Sequence, residues 1–146
     1  MKRKKLLSKA AAMMTAAMLV FGVSGQMVSA AEESVEQIGY IMVQPRGVYL
    51  QSGYSQISKV GDGKITAGGS TTAQKLVSEV SINVNVERKV GSSWEHYTSW
   101  TATKKNAIAV TSSKTLTVPK GYYYRVRSVH YANSDVSSSA TGGYYI

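Results

Sequence analysis

The side chains with most chemical capacity in this 146-residue chain lie in one run, Gly121 to Tyr131. Read at the period of a strand, one parity holds Tyr122, Tyr124, Val126, Ser128 and His130, and the other holds Tyr123, Arg125, Arg127, Val129 and Tyr131. The two arginines select the second set for the wet face. Tyr123, Arg125, Arg127 and Tyr131 would then present flat π surfaces alternating with fixed positive charge, which suits sugars through stacking and anions through the guanidinium fork. These four form the candidate ligand-binding face. The competing reading is an ordinary exposed strand, because tyrosine and arginine tolerate a wet sheet face well.

Catalytic sets are harder to assemble from the remaining residues. The two histidines, His96 and His130, lie in expected strands, and neither has a second histidine or a carboxylate at a metal-ligand spacing. Glu95 beside His96 is not a dyad, since neighbouring strand residues point to opposite faces. Glu79 and Glu87 sit eight residues apart on the wet side of their strand. No Gly-x-Ser-x-Gly elbow is present, and no Lys-Ser/Thr follows Gly61 and Gly63 at the spacing of a phosphate loop. Lys104-Lys105 reads as a solvated turn. The expectation is therefore a protein that is not an enzyme, with no catalytic residues, no metal site and no cofactor.

The elements that must position these groups read as strands throughout. Ile38 to Val43 is β-rich and ends at Pro45-Arg46-Gly47, and Val48 to Ile57 follows with a bulge or break expected at Gly53. Gly61-Asp62-Gly63 is hairpin chemistry, with Lys64 to Ala67 as a short return strand and Gly68 to Thr72 as loop. Val80, Ile82, Val84 and Val86 alternate with polar residues, which places the apolar set on one face of a strand; a helix would scatter them around its circumference. Gly91-Ser92-Ser93 turns the chain into Trp94 to Thr103, where Trp94 and Trp100 share a parity. Lys104-Lys105-Asn106 turns it again, into Ala107 to Thr111 and Thr115 to Val118. After the Gly121 to Tyr131 run, Ala132 to Asp135 is a turn and Val136 to Ile146 a weaker strand broken by Gly142 and Gly143. Gln74 to Ser78 has room for a helical turn at most. About eight short strands at this spacing predict an all-β, antiparallel β-sandwich, with a small closed β-barrel as the runner-up.

The N-terminus has the order of parts of a secretory signal peptide. Lys2, Arg3, Lys4, Lys5 and Lys9 precede an apolar stretch from Ala10 to Val23, expected as a signal-peptide helix, and small residues follow at Val28, Ser29 and Ala30. Gly22, Ser24, Gly25 and Gln26 interrupt the run before the roughly 20 apolar residues of a spanning helix. Cleavage after Ala30 or after Ala31 satisfies the small-x-small rule equally. The organisation expected is a leader over 1–30, a short flexible segment over 31–37 and a single domain over 38–146, secreted and not membrane-spanning once mature. Five of the 17 basic residues leave with the leader while all eight acidic ones stay, so 12 face eight and the net charge falls from +9 to +4. No cysteine is present, so the domain folds without disulfides.

Two resemblances add to this. Tyr122-Tyr123-Tyr124-Arg125-Val126-Arg127-Ser128-Val129 resembles the penultimate strand of fibronectin type III domains; there Tyr122 would be the corner tyrosine, bonded back to the backbone, and Trp94 or Trp100 the core tryptophan. The leader, Pro45-Arg46-Gly47-Val48-Tyr49-Leu50, the alternating run into Val86-Glu87-Arg88, and Gly121-Tyr122-Tyr123-Tyr124-Arg125-Val126 together resemble an uncharacterised family of small secreted Gram-positive proteins. That likeness implies an exported β-rich domain and transfers no catalytic residue. The functional expectation is a binding module at the cell envelope or matrix, with an anionic cell-wall polymer, a glycan or a surface protein as partner. Export argues against nucleic acid. A bacteriocin-like antagonistic protein is the alternative.

Overall fold

The alternation at residues 80–86 shows how this chain builds its walls. In the computed structural model, which describes residues 36–40 and 47–146, Val80, Ile82, Val84 and Val86 are all fully buried, while Asn83 and Asn85 between them reach the outer face. Burying such a row removes roughly 2 kcal/mol of unfavourable hydration per side chain. They belong to one of seven strands: β1 (Glu36–Tyr40), β2 (Leu50–Gly61), β3 (Lys64–Val90), β4 (Ser93–Thr117), β5 (Tyr123–Ala132), β6 (Asp135–Ala140) and β7 (Tyr144–Tyr145). Two-residue turns join three of the hairpins. Asp62-Gly63, Gly91-Ser92 and Asn133-Ser134 each include a residue of positive φ, at Gly63, Gly91 and Asn133.

All pairings are antiparallel, and the sheet runs β1-β2-β3-β5-β6, with β4 on the other side of β3 and β7 beside β5. β3 carries the architecture because it serves two neighbours on one edge. Its first half pairs with β2, from Lys64 to Ala73, and its second half pairs with β5, from Val80 to Arg88. Between the halves the register against β4 jumps from Thr72↔Ala109 to Val77↔Ala107, so Ala73 to Leu76 stand opposite Ile108 alone. A bulge of this size bends the strand sharply. The bend folds the sheet over itself, brings β6 across to β2, and nearly closes the whole into a barrel. Leu50, Ile57, Ile65, Val110, Val118, Tyr124, Val126 and Ile146 fill the interior with the β3 valines.

The all-β, antiparallel expectation holds, and the runner-up barrel describes the arrangement; a separate two-sheet sandwich is not what the strands form. No helix occurs among the described residues, and none there is long and apolar enough to cross a membrane. The expected signal-peptide helix and the flexible segment up to Gln37 lie mostly outside the described residues, as do 41–46.

Three local expectations are corrected. Gly68 to Thr72 is strand, not loop: a Cβ on Gly68 would overlap the Ser112 carbonyl and one on Gly69 the Tyr54 carbonyl, so these glycines permit close backbone approach. Lys104-Lys105-Asn106 does not turn the chain. β4 runs through it as one strand, with Asn106 at a φ of 50° absorbing the bend opposite the β3 bulge. Gln74 to Ser78 is extended, because the bulge takes the place the helical turn was given.

Candidate functional site

β5 divides its side chains between two environments. Tyr124, Val126, Ser128 and His130 are wholly buried, whereas Tyr123, Arg127 and Tyr131 are exposed and Arg125 is half-buried. The parity chosen by the arginines is the outer one.

On the inner side His130 joins four strands through hydroxyls. Its Nδ1 lies 2.8 Å from Thr71 Oγ1 of β3, and its Nε2 lies 2.7 Å from Ser139 Oγ of β6. Thr71 donates its one proton to the Ser81 carbonyl at 3.1 Å. Each ring nitrogen thus has a hydroxyl partner, and the neutral ring donates through one of them and accepts through the other. Ser55 Oγ of β2 continues the chain, 2.7 Å from Ser139 Oγ and 2.8 Å from Ser128 Oγ. Burial lowers the pKa of His130 from the ordinary 6.5 to about 4, so the ring is neutral near pH 7. This cluster is sealed from solvent and is part of the packing of the barrel.

The outer side is built in rows by the register of β4, β3 and β5. Lys89 of β3 faces Trp94 of β4; Glu87 faces His96 and Arg125; Asn85 faces Ser99 and Arg127. Arg125 Nε donates to Glu87 Oε2 at 2.5 Å, and its guanidinium lies 4.4 Å from the centroid of the Trp94 ring. Glu87 is buried apart from a small fraction, which strengthens that pair. His96 Nδ1 lies 2.7 Å from Asn85 Oδ1, so the histidine that register sets beside a carboxylate is bonded to an amide instead. At the end of the face, Tyr123 and Tyr145 pack edge to face with centroids 5.1 Å apart, both about half exposed. Gly143 lies beneath them: a Cβ there would come within 3.0 Å of the Trp94 ring and 3.6 Å of Tyr123.

Arg127 differs from its neighbour. Among the described residues its guanidinium has no hydrogen-bond or ion-pair partner, and it lines with Arg125, Ser138, Ser139 and Ala140 an open depression of about 320 Å³. The fourth residue of the expected set, Tyr131, shares the face but stands four residues farther along β5, or about 13 Å. Its partners there are Ser81 and Val136, away from both arginines. Tyr123, Arg125 and Arg127 follow one another at two-residue steps along the face, and Tyr131 stands four residues beyond Arg127, with Val129 between them.

Glu87, Trp94, His96, Asn85 and Tyr145 join the face without having been singled out for it. Counting back from the Gly91-Ser92 turn would have paired Lys89 with Trp94 and Glu87 with His96; the bulge at Tyr97 breaks the count only beyond them, before Asn85 meets Ser99. Pairing of β5 with β3 and β7 left no signal in the sequence.

The corner tyrosine is Tyr124, not Tyr122. Its hydroxyl donates to the Pro119 carbonyl at 2.6 Å, and desolvation raises its pKa, which keeps the donating proton in place. Tyr122 instead takes the Arg88 guanidinium on its ring, at 4.6 Å, and the same guanidinium lies 5.6 Å from the centroid of the Tyr97 ring. Neither tryptophan is fully buried. Trp100 packs partly on the core and donates its indole proton to Ser112 at 2.9 Å, while Trp94 lies on the outer face. Among the described residues no cluster of three histidines or carboxylates has the geometry to hold a metal ion.

A family model described as a family of unknown function, DUF6147, matches residues 16–144. The chain belongs to DUF6147. No curated protein and no solved structure matches it. Membership agrees with the resemblance to an uncharacterised family, and it covers both the outer face of β5 and the buried cluster around His130.

Proposed function

We propose that this DUF6147 protein is a non-enzymatic binding module that works outside the cell, at the envelope or matrix, and holds its partner on the outer face of β5. The observation that carries the reading is the contrast between the two arginines. Arg125 is fixed by Glu87 and Trp94, whereas Arg127 projects beside it with no partner of its own among the described residues. A guanidinium with all five donors unengaged, on a strand rigidly paired on both sides, is poised for an anionic group. The signal-peptide pattern supplies the compartment, and a net charge of +4 after its removal favours anionic surroundings. The partner class is an anionic wall polymer, a glycan or an acidic surface protein.

The test is retention on purified cell walls at graded salt. Arg127→Ala is the informative variant, because Arg125→Ala would also strand the buried Glu87 carboxylate and disturb the fold. Retention of wild type that falls with salt, and falls further in Arg127→Ala, supports the face. Equal retention of the two proteins removes it.

A further inference from the structure

The outer face carries more than a positive charge. Tyr123 and Tyr145 form a half-exposed aromatic edge, packed edge to face on each other. Trp94 carries the Arg125 guanidinium on its ring, and Gly143, having no Cβ, lets the backbone pass close to that ring. The polar groups stand farther along the face: His96 in the row of Arg125, Asn85 in the row of Arg127, and Ser138 in the depression that both arginines line. Exposed aromatic surface at one end with imidazole, amide and hydroxyl groups toward the other matches a chain of rings with apolar C–H faces and hydroxyl edges. Four residues along the same strand from Tyr123, about 13 Å away, lies the unengaged Arg127. That separation exceeds the reach of one sugar ring, so a ligand that meets both is a chain.

We infer that the ligand of this face is an anionic glycan, with sugar rings packed on Tyr123 and Tyr145 and a phosphate or carboxylate group held by Arg127. This rests on the binding reading above and names its substrate class. Lys89, exposed in the row of Trp94, adds a second cation to the same end. Among the described residues the carboxylate at that end of the face is Glu87, which Arg125 neutralises. The field over the face is therefore positive, as an anionic chain requires.

Affinity electrophoresis in gels containing dextran, dextran phosphate, carboxymethyl-dextran or inorganic polyphosphate separates the parts. Wild type is expected to be retarded by the two charged dextrans more than by plain dextran or polyphosphate, and the stronger of the two identifies the anion. Arg127→Ala should weaken binding to the charged dextrans about tenfold, the scale of one charge-assisted contact. Tyr145→Ala and Tyr123→Leu should weaken it severalfold on charged dextran and leave polyphosphate unchanged, with melting curves confirming that each variant is folded. Polyphosphate bound as tightly as charged dextran, with the tyrosine variants silent, overturns the sugar platform and leaves the binding face standing. Plain dextran bound as well as the charged forms, with Arg127→Ala silent, overturns the anion site. Binding to none of the four by a protein that cell walls still retain overturns the glycan assignment. Loss of wall retention as well removes the binding reading itself.

Discussion

Both faces of β5 carry polar side chains and treat them oppositely. Inside, the His130 ring nitrogens and the hydroxyls of Thr71, Ser139, Ser55 and Ser128 bond to one another across four strands, and no buried side-chain polar atom among the described residues lacks a partner. Outside, one residue away along the backbone, Arg127 projects with no partner among them. A buried polar group must find its partner within the protein, because leaving it unpaired costs about 1–3 kcal/mol. An exposed one has water as an alternative and can be left open for a ligand. The inner cluster therefore fixes which strands meet, and the outer face is free to serve recognition.

The sharpest break of this comparison is His130→Ala. It removes a fully buried ring and leaves the Thr71 and Ser139 hydroxyls without their nitrogen partners, so unfolding in urea should show a loss of about 3–4 kcal/mol. A loss below 1 kcal/mol would mean that the cluster reorganises around water and does not set the strand pairing.

The same ring makes stability depend on pH in a known direction. His130 titrates near 4 when folded and near 6.5 when unfolded, so the unfolded chain takes up the proton first as the pH falls. Its contribution is complete above pH 6.5 and declines below it, by about 3 kcal/mol at pH 4. Urea midpoints measured from pH 7.5 to pH 4 check this. His130→Gln should flatten that part of the profile. Parallel profiles for wild type and His130→Gln would assign the acid sensitivity to other groups.

A smaller effect separates Tyr124 from Tyr122. Tyr124→Phe deletes the bond to Pro119 and should cost about 1 kcal/mol, and Tyr122→Phe keeps its ring on Arg88 and should cost nothing measurable. The reverse order would restore the corner to the residue the fibronectin-like run points to.

Those two tyrosines show what the sequence made legible and what it did not. Parity along β5 was readable because the period of a strand is 2 and two arginines cannot both face a core. Parity along β3 was readable for the same reason at Val80 to Val86. Strand length was not, since Gly68-Gly69 and Lys104-Lys105-Asn106 carry turn chemistry and are held extended by partners far away in the chain. The choice of barrel over sandwich depended on the bulge at Ala73 to Leu76, which has no local signature. The binding face was half legible: Tyr123, Arg125 and Arg127 follow from one strand, but Glu87, Trp94 and Tyr145 arrive by non-local pairing. Tyr122 took the corner role because it opens the resembling run, whereas the interior parity that includes Val126 and His130 assigns it to Tyr124.

The smallest expected effect is the most telling. Arg127→Ala removes a side chain that touches no partner among the described residues, so its stability should match wild type within about 0.5 kcal/mol in the same urea titration. Retention on cell walls should nevertheless fall, and the dependence of retention on salt should become shallower, because one of the contacts that salt screens has gone. A variant with unchanged stability and reduced binding is what separates a recognition residue from a structural one. If stability falls with binding, Arg127 belongs to the fold after all, and the two faces of β5 differ in exposure but not in role.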